Sequence, residues 1–350
     1  MSARGLAWTD TKTNNPDWRT SRSREEMNSP RLKEILENHQ IAVYFATIVA
    51  AAIFALIVPG TTAFEAAINP ALALMLFVTF LQVPLADLAR AFSHSRFLGA
   101  LLTTNFLVVP LLVVLLVQLL PPHPIVRLGV LLVLLTPCID YVVTFSHLGR
   151  ADARLLLAAT PVLLIGQMLL LPAFLGVFLG DATAGLVHLG PFIHAFVWLI
   201  AIPFAAAGFM QLWAARSRIG ESALAILSLL PVPATALVLF IVIATVVPQL
   251  GAATDAALQV IPLYVAFALA SPVLGWIVGR LFHLEAPAGR AVAFSAGTRN
   301  SLVVLPLALA IPGAIPILPA IIVTQTLVEL VSELVYVRLL SRLGASKPRP

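Results

Sequence analysis

The chain has 350 residues, 60% of them hydrophobic and 11% charged, with a net charge of +5 and a mean hydropathy of +1.00. Soluble domains carry about 25% charged residues, so this composition excludes one and specifies an integral membrane protein. The basic residues are scattered over short loops, which argues against a nucleic-acid surface, and the single cysteine, Cys138, excludes a disulfide framework or a multi-cysteine metal site.

Residues 1–39 are polar, with seven Lys and Arg and no apolar run, so they are not a cleavable signal peptide. They read as a disordered cytoplasmic tail with a short interfacial helix from Pro30, behind a Ser29 cap. Ten apolar segments follow: 40–58, 64–85, 97–120, 126–148, 153–179, 191–214, 223–247, 256–282, 290–311 and 315–340. They are uniformly apolar over about 20 residues rather than alternating, which predicts transmembrane helices and not barrel strands. Residues 343–350 form a second cytoplasmic tail. With the N-terminus inside, 19 of the 21 Lys and Arg fall on one side of the membrane, leaving Arg127 in the opposite loops. That asymmetry predicts a multi-pass protein of the plasma membrane with both termini cytoplasmic.

Ten spans divide into two sets of five, 40–180 and 190–342. Five is odd, so the second set enters from the opposite side, as in the inverted repeats of many secondary transporters. The fourth segment of the first half carries "CIDYVV" (138–143), and that of the second carries "TRNSLVV" (298–304). Each is a polar cluster ahead of a Val-Val pair.

Asp140 and Arg299 are the charges deepest in spans. At the bilayer centre each costs roughly 2.5–3.5 kcal/mol on insertion scales, so both must face protein or a cavity. Two readings fit: a buried ion pair locking two helices, or a pair lining a substrate site. Intramembrane ionisable residues favour the second. Pro137 and Gly297 break the two helices at these clusters, and broken helices at membrane depth offer their half-helix ends to a ligand. Glu329 and Glu333 share one face of the last span. They are expected near the cytoplasmic end, partly wet and close to Arg338, or else as carriers of a coupling proton. Cys138 is either a small core residue or a soft ligand for trivalent arsenic or antimony. Asn69, Gln82, Asn105, Gln167 and Gln325 read as interhelical hydrogen bonders, His194 as interfacial, and Pro161, Pro172, Pro231, Pro233, Pro306 and Pro312 as kinks. No motif for ATP hydrolysis or metalloprotease chemistry occurs, and no cofactor or enzyme activity is expected.

At the two clusters the chain resembles the bile acid:sodium symporter superfamily, and within it the arsenite efflux permeases. "TPCIDYVV" is similar to the permeases' Pro-Cys motif on the fourth span, which puts Cys138 on their functional cysteine. "SAGTRNS" is similar to the Gly-x-x-Asn-Ser pattern of bile acid transporters, matching Gly297, Asn300 and Ser301. The resemblance implies ten helices in two inverted repeats. It also implies broken fourth and ninth helices crossing at the ion and substrate sites, and a panel domain moving against a core domain. The chain departs from the pattern too. Sodium-coupled members have a glutamate where this chain has Ser295, a glutamine where it has Arg299, and a neutral residue where it has Asp140. The permeases' ninth-span glutamate falls on Val303.

A fixed guanidinium would repel a sodium ion a few ångströms away, or stand in for it. The expected coupling ion is therefore a proton, with Asp140 its first carrier. Cys138, Asp140, Ser295, Thr298, Arg299, Asn300 and Ser301 are the candidate substrate and ion residues. The cargo expected is arsenite or a related metalloid anion, exported, with an organic anion paired to Arg299 as the alternative.

Overall fold

The computed structural model describes residues 17–82, 94–139, 141–179, 194, 197–309, 311 and 316–344. Asp140, Arg90, Pro312, Lys347 and Arg349 lie outside these residues, as do the expected span ends at 83–85 and 191–193. Among the described residues the secondary structure is helical, with one isolated backbone bridge. Seven helices are long and apolar enough to cross a membrane, and an eighth counts if two bent halves make one span.

Helix α1 (Asp17–Ile57) runs on past Pro30, and its last half is the first span. Strong helix formers around Arg19–Glu26 outweigh the proline, so the short helix expected from Pro30 is part of a longer one. Helix α2 (Glu65–Phe80) follows a single 3₁₀ turn. Helices α3 (Ser95–Thr103) and α4 (Val109–Val117) form one span through a π-turn, Thr104–Val108. Pro110 lies just beyond that turn, and the wider π-turn accommodates its missing N–H. On this span Leu107, Leu111, Leu115 and Leu119 form one exposed stripe, a face suited to acyl chains.

Helices α5 (Pro124–Leu134) and α6 (Tyr141–Leu148) occupy the fourth apolar segment. Helix α7 (Ala153–Leu179) bends by 48° between Gln167 and Leu169. That is four residues before Pro172, where the proline ring crowds the carbonyl and removes its bond. Helix α8 (Ile202–Ala214) and the short α9 (Arg218–Leu227) precede α10 (Pro231–Val246). The span expected from 223 therefore begins at Pro231. Pro231 and Pro233 sit in the first turn of α10, where an N–H has no helical partner, and so they start a helix rather than kink one. Helix α11 (Thr254–Leu281) completes the long helices before a second broken segment, α12 (Ala286–Gly297) and α13 (Ser301–Leu309), and α14 (Ile317–Leu339) closes the bundle.

Two groups of helices result. In one, α1 packs on α10, α10 on α2 and α2 on α8; in the other, α11 packs on α12 and α14, α14 on α5 and α13, and α7 on α5 and α6. Contacts of α10 with α14 and of α2 with α13 join them. Gly275 lets α11 approach α12: a Cβ there would come within 2.7 Å of the Ala296 Cβ and 2.9 Å of the Ala293 Cα. At one end of the bundle Arg290 donates to the carbonyls of Arg150 (3.0 Å) and Leu343 (2.9 Å). Three of the basic segments assigned to a common side thus meet.

Candidate functional site

Both anticipated interruptions are present, and they meet. Helix α5 ends at Leu134 and α12 at Gly297, and the chain then runs extended through Pro137 and Arg299, which form an antiparallel bridge. The Cys138 N–H donates to the Thr298 carbonyl (3.1 Å) and the Asn300 N–H to the Thr136 carbonyl (2.8 Å). Backbone freed by one break is thereby satisfied by the other, as burial demands. Gly297 is required here for room: a Cβ would lie 2.7 Å from the Tyr336 ring and 3.0 Å from the Pro272 Cγ.

Ending a helix leaves its last carbonyls without partners. Arg299, fully buried, collects them from both half-helices. One terminal nitrogen donates to the Ser295 and Ala296 carbonyls of α12, the latter at 2.9 Å, and to Asn105 Oδ1 at 2.8 Å. The other reaches the Leu134 carbonyl of α5 at 3.4 Å. The guanidinium also lies over the Phe267 ring, 5.7 Å from its centroid. A cation thus sits where two half-helix C-termini, with their negative dipole ends, converge. Its Nε has no hydrogen-bond partner among the described residues, nor does Asn300 Nδ2. Both are buried donors, and Asn300 directly precedes α13, whose dipole favours negative charge at its start.

Glu329 and Glu333 correct the sequence expectation. They are buried against the crossing, not wet at the membrane end. Glu329 accepts from the Arg299 backbone N–H (2.7 Å), from Gln325 Nε2 (2.5 Å) and from the Tyr141 hydroxyl, while Glu333 accepts from the Thr298 hydroxyl. The cause is α14 packing on the broken segments, where extended backbone offers donors that a closed helix would not. Two charges one helical turn apart, at about 6 Å and an effective dielectric near 20, would repel by roughly 3 kcal/mol.

The remaining candidates fall as follows. Ser295, Thr298, Asn300, Ser301 and Cys138 are all buried at the crossing. Ser295 Oγ meets Asn105 Nδ2 at 2.9 Å, and Ser301 Oγ meets Thr326 Oγ1 at 2.8 Å. Asp140, with its expected pairing to Arg299, lies outside the described residues. Asn105 makes the interhelical bonds anticipated for it and reaches Arg299 as well. Asn69 is exposed, while Gln167 is buried at the α7 bend with its amide unpartnered among the described residues. His194 is exposed with its ring 6.0 Å from that of Trp198, as an interfacial residue would be. Sequence reasoning did not single out Tyr141, whose single hydroxyl proton is shared between Glu329 and the Arg299 carbonyl, 3.3 Å away. Its signal was its place directly after the predicted break. Among the described residues the crossing is a closed polar cluster, with a small cavity beside Gly297, Gln325 and Glu329.

Compared with known families, residues 69–255 match the sequence profile described as the Sodium Bile acid symporter family. No curated protein matches the chain.

Proposed function

The chain belongs to the sodium bile acid symporter family, a family of membrane transporters, and on that premise we propose that it is a sodium-independent secondary transporter. Its cargo in this reading is arsenite or a related metalloid anion, exported by alternating access and driven by protons. The reading takes α5–α6 and α12–α13 as the broken fourth and ninth spans of ten. The ten form two inverted repeats, 40–180 and 190–342, between cytoplasmic tails 1–39 and 343–350 in the plasma membrane. The two packed groups of helices suit a panel and a core that move against each other.

One observation carries the sodium independence. The Arg299 guanidinium fills a nest of oxygens from Asn105, Ser295 and Ala296, which is the kind of site a hard cation would take. Here the cation is tethered and stays. Cys138, in the extended strand opposite Thr298, supports the metalloid as a soft ligand. Asp140, Ser295, Thr298, Asn300 and Ser301 complete the proposed contacts.

A second reading, an organic carboxylate as cargo, is favoured by the unpartnered donors Arg299 Nε and Asn300 Nδ2. Transport of arsenite and of taurocholate by proteoliposomes decides between them. Cys138→Ala abolishes transport of the metalloid and spares that of an organic anion. Movement of either probe driven by a sodium gradient alone refutes the proposal.

A further inference from the structure

Resting on that proton-coupled reading, we propose that the Glu329–Glu333 pair binds the coupling proton, with Glu333 as the residue that takes it. Glu329 is crowded with donors: the Tyr141 hydroxyl, the Gln325 amide and the Arg299 backbone N–H. It is therefore held as the carboxylate. Glu333 accepts only from the Thr298 hydroxyl, and its Oε2, fully buried, has no partner among the described residues. An oxygen in that state is where a proton adds, forming an O–H bond without displacing a donor. A second buried group points to the same occupant. Gln325 Oε1, which lines the cavity beside Glu329, also accepts nothing and offers an acceptor to a proton carrier entering there.

Charge balance agrees. With both carboxylates ionised, the pair and Arg299 together carry one net negative charge, and one proton makes them neutral. The other titratable groups around the pair and Arg299 are Tyr141 at the head of α6, Cys138 in the first break, Tyr264 on α11 and Tyr336 one turn further along α14. Asp140 lies outside the described residues.

The pair is also wired to both breaks. Glu329 holds Tyr141, directly after the first, and Glu333 holds Thr298, within the second. A proton on Oε2 leaves Oε1 bonded to the Thr298 hydroxyl but removes the negative charge from that hydrogen bond, at the residue whose carbonyl the Cys138 N–H bonds. Proton binding and the geometry of the crossing are thus linked through one side chain.

The test begins with wild-type protein in lipid vesicles, treated with dicyclohexylcarbodiimide, which attacks protonated carboxyls in apolar surroundings. Modification is mapped by mass spectrometry over a pH series, with and without sodium. The expected result is labelling of Glu333 that declines as the pH rises and is indifferent to sodium. Absence of label on Glu333 at every pH, or label on Glu329 alone, overturns the proposal, and so does protection by sodium, which would make the pair a sodium site. This arm needs no transported substrate, so its failure is separable from failure of the transport reading. In a second arm, with arsenite and taurocholate as probes, Glu333→Gln loses accumulation driven by a pH gradient; accumulation equal to wild type overturns the assignment. Glu333→Asp, which keeps a carboxyl, retains the pH-dependent label.

Discussion

The two interruptions reach a common geometry by different chemistry. The first is a proline break in which the Cys138 N–H and the Thr136 carbonyl make backbone hydrogen bonds across the crossing. The second is a glycine break that brings in a buried guanidinium, a threonine hydroxyl and the contacts to α14. Among the described residues, the second break therefore supplies the charged and side-chain contacts to α14. The first break is shaped by what its proline cannot do, and the second by what its side chains supply. If that is right, substitutions of similar size should cost far more in the second break than in the first.

Arg299→Ala is the largest expected effect. It leaves Asn105 Oδ1 and carbonyls of both half-helices buried without a donor, and should lower stability by about 3–5 kcal/mol. Thermal unfolding in detergent, followed by size-exclusion chromatography, measures it. Glu329→Leu comes next: it strands the Arg299 N–H and the Gln325 amide, for a loss of about 3 kcal/mol in the same assay. Gly297→Ala pushes a methyl into the Tyr336 ring and should cost about 1–3 kcal/mol. A loss below that range would show that Tyr336 yields easily. Pro137→Ala should cost less than about 1 kcal/mol, because the flanking bonds of Cys138 and Asn300 hold the break open without the ring. A loss comparable to that of Arg299→Ala would erase the asymmetry.

Part of this was legible in the sequence. Hydropathy located the seven membrane-length helices, or eight with the bent pair, and Pro137 and Gly297 marked both breaks because each residue type acts locally on its own helix. The pairing of the breaks was only implied by resemblance, since nothing local says which extended segment satisfies which. The depth of Glu329 and Glu333 was misjudged for the same reason. On an isolated helix, two carboxylates one turn apart look like a wet end, and only the donors of the neighbouring break make them tolerable inside. The role of Asn105 was half visible: a lone amide in a span must bond something, but its partner, Arg299, is 194 residues away. Helix α1 passing Pro30 and α10 starting at Pro231 show that a proline reads differently with its position in the helix.

The central claim is that Arg299 permanently fills the place of a coupling sodium ion. Thermal stability of the purified protein in increasing sodium chloride, against choline chloride at equal ionic strength, tests it without knowledge of the cargo. A ligand that binds only the folded state stabilises it progressively with concentration. The two salts should give superimposable melting curves, whereas a sodium-specific rise in Tm that grows with concentration would contradict the account.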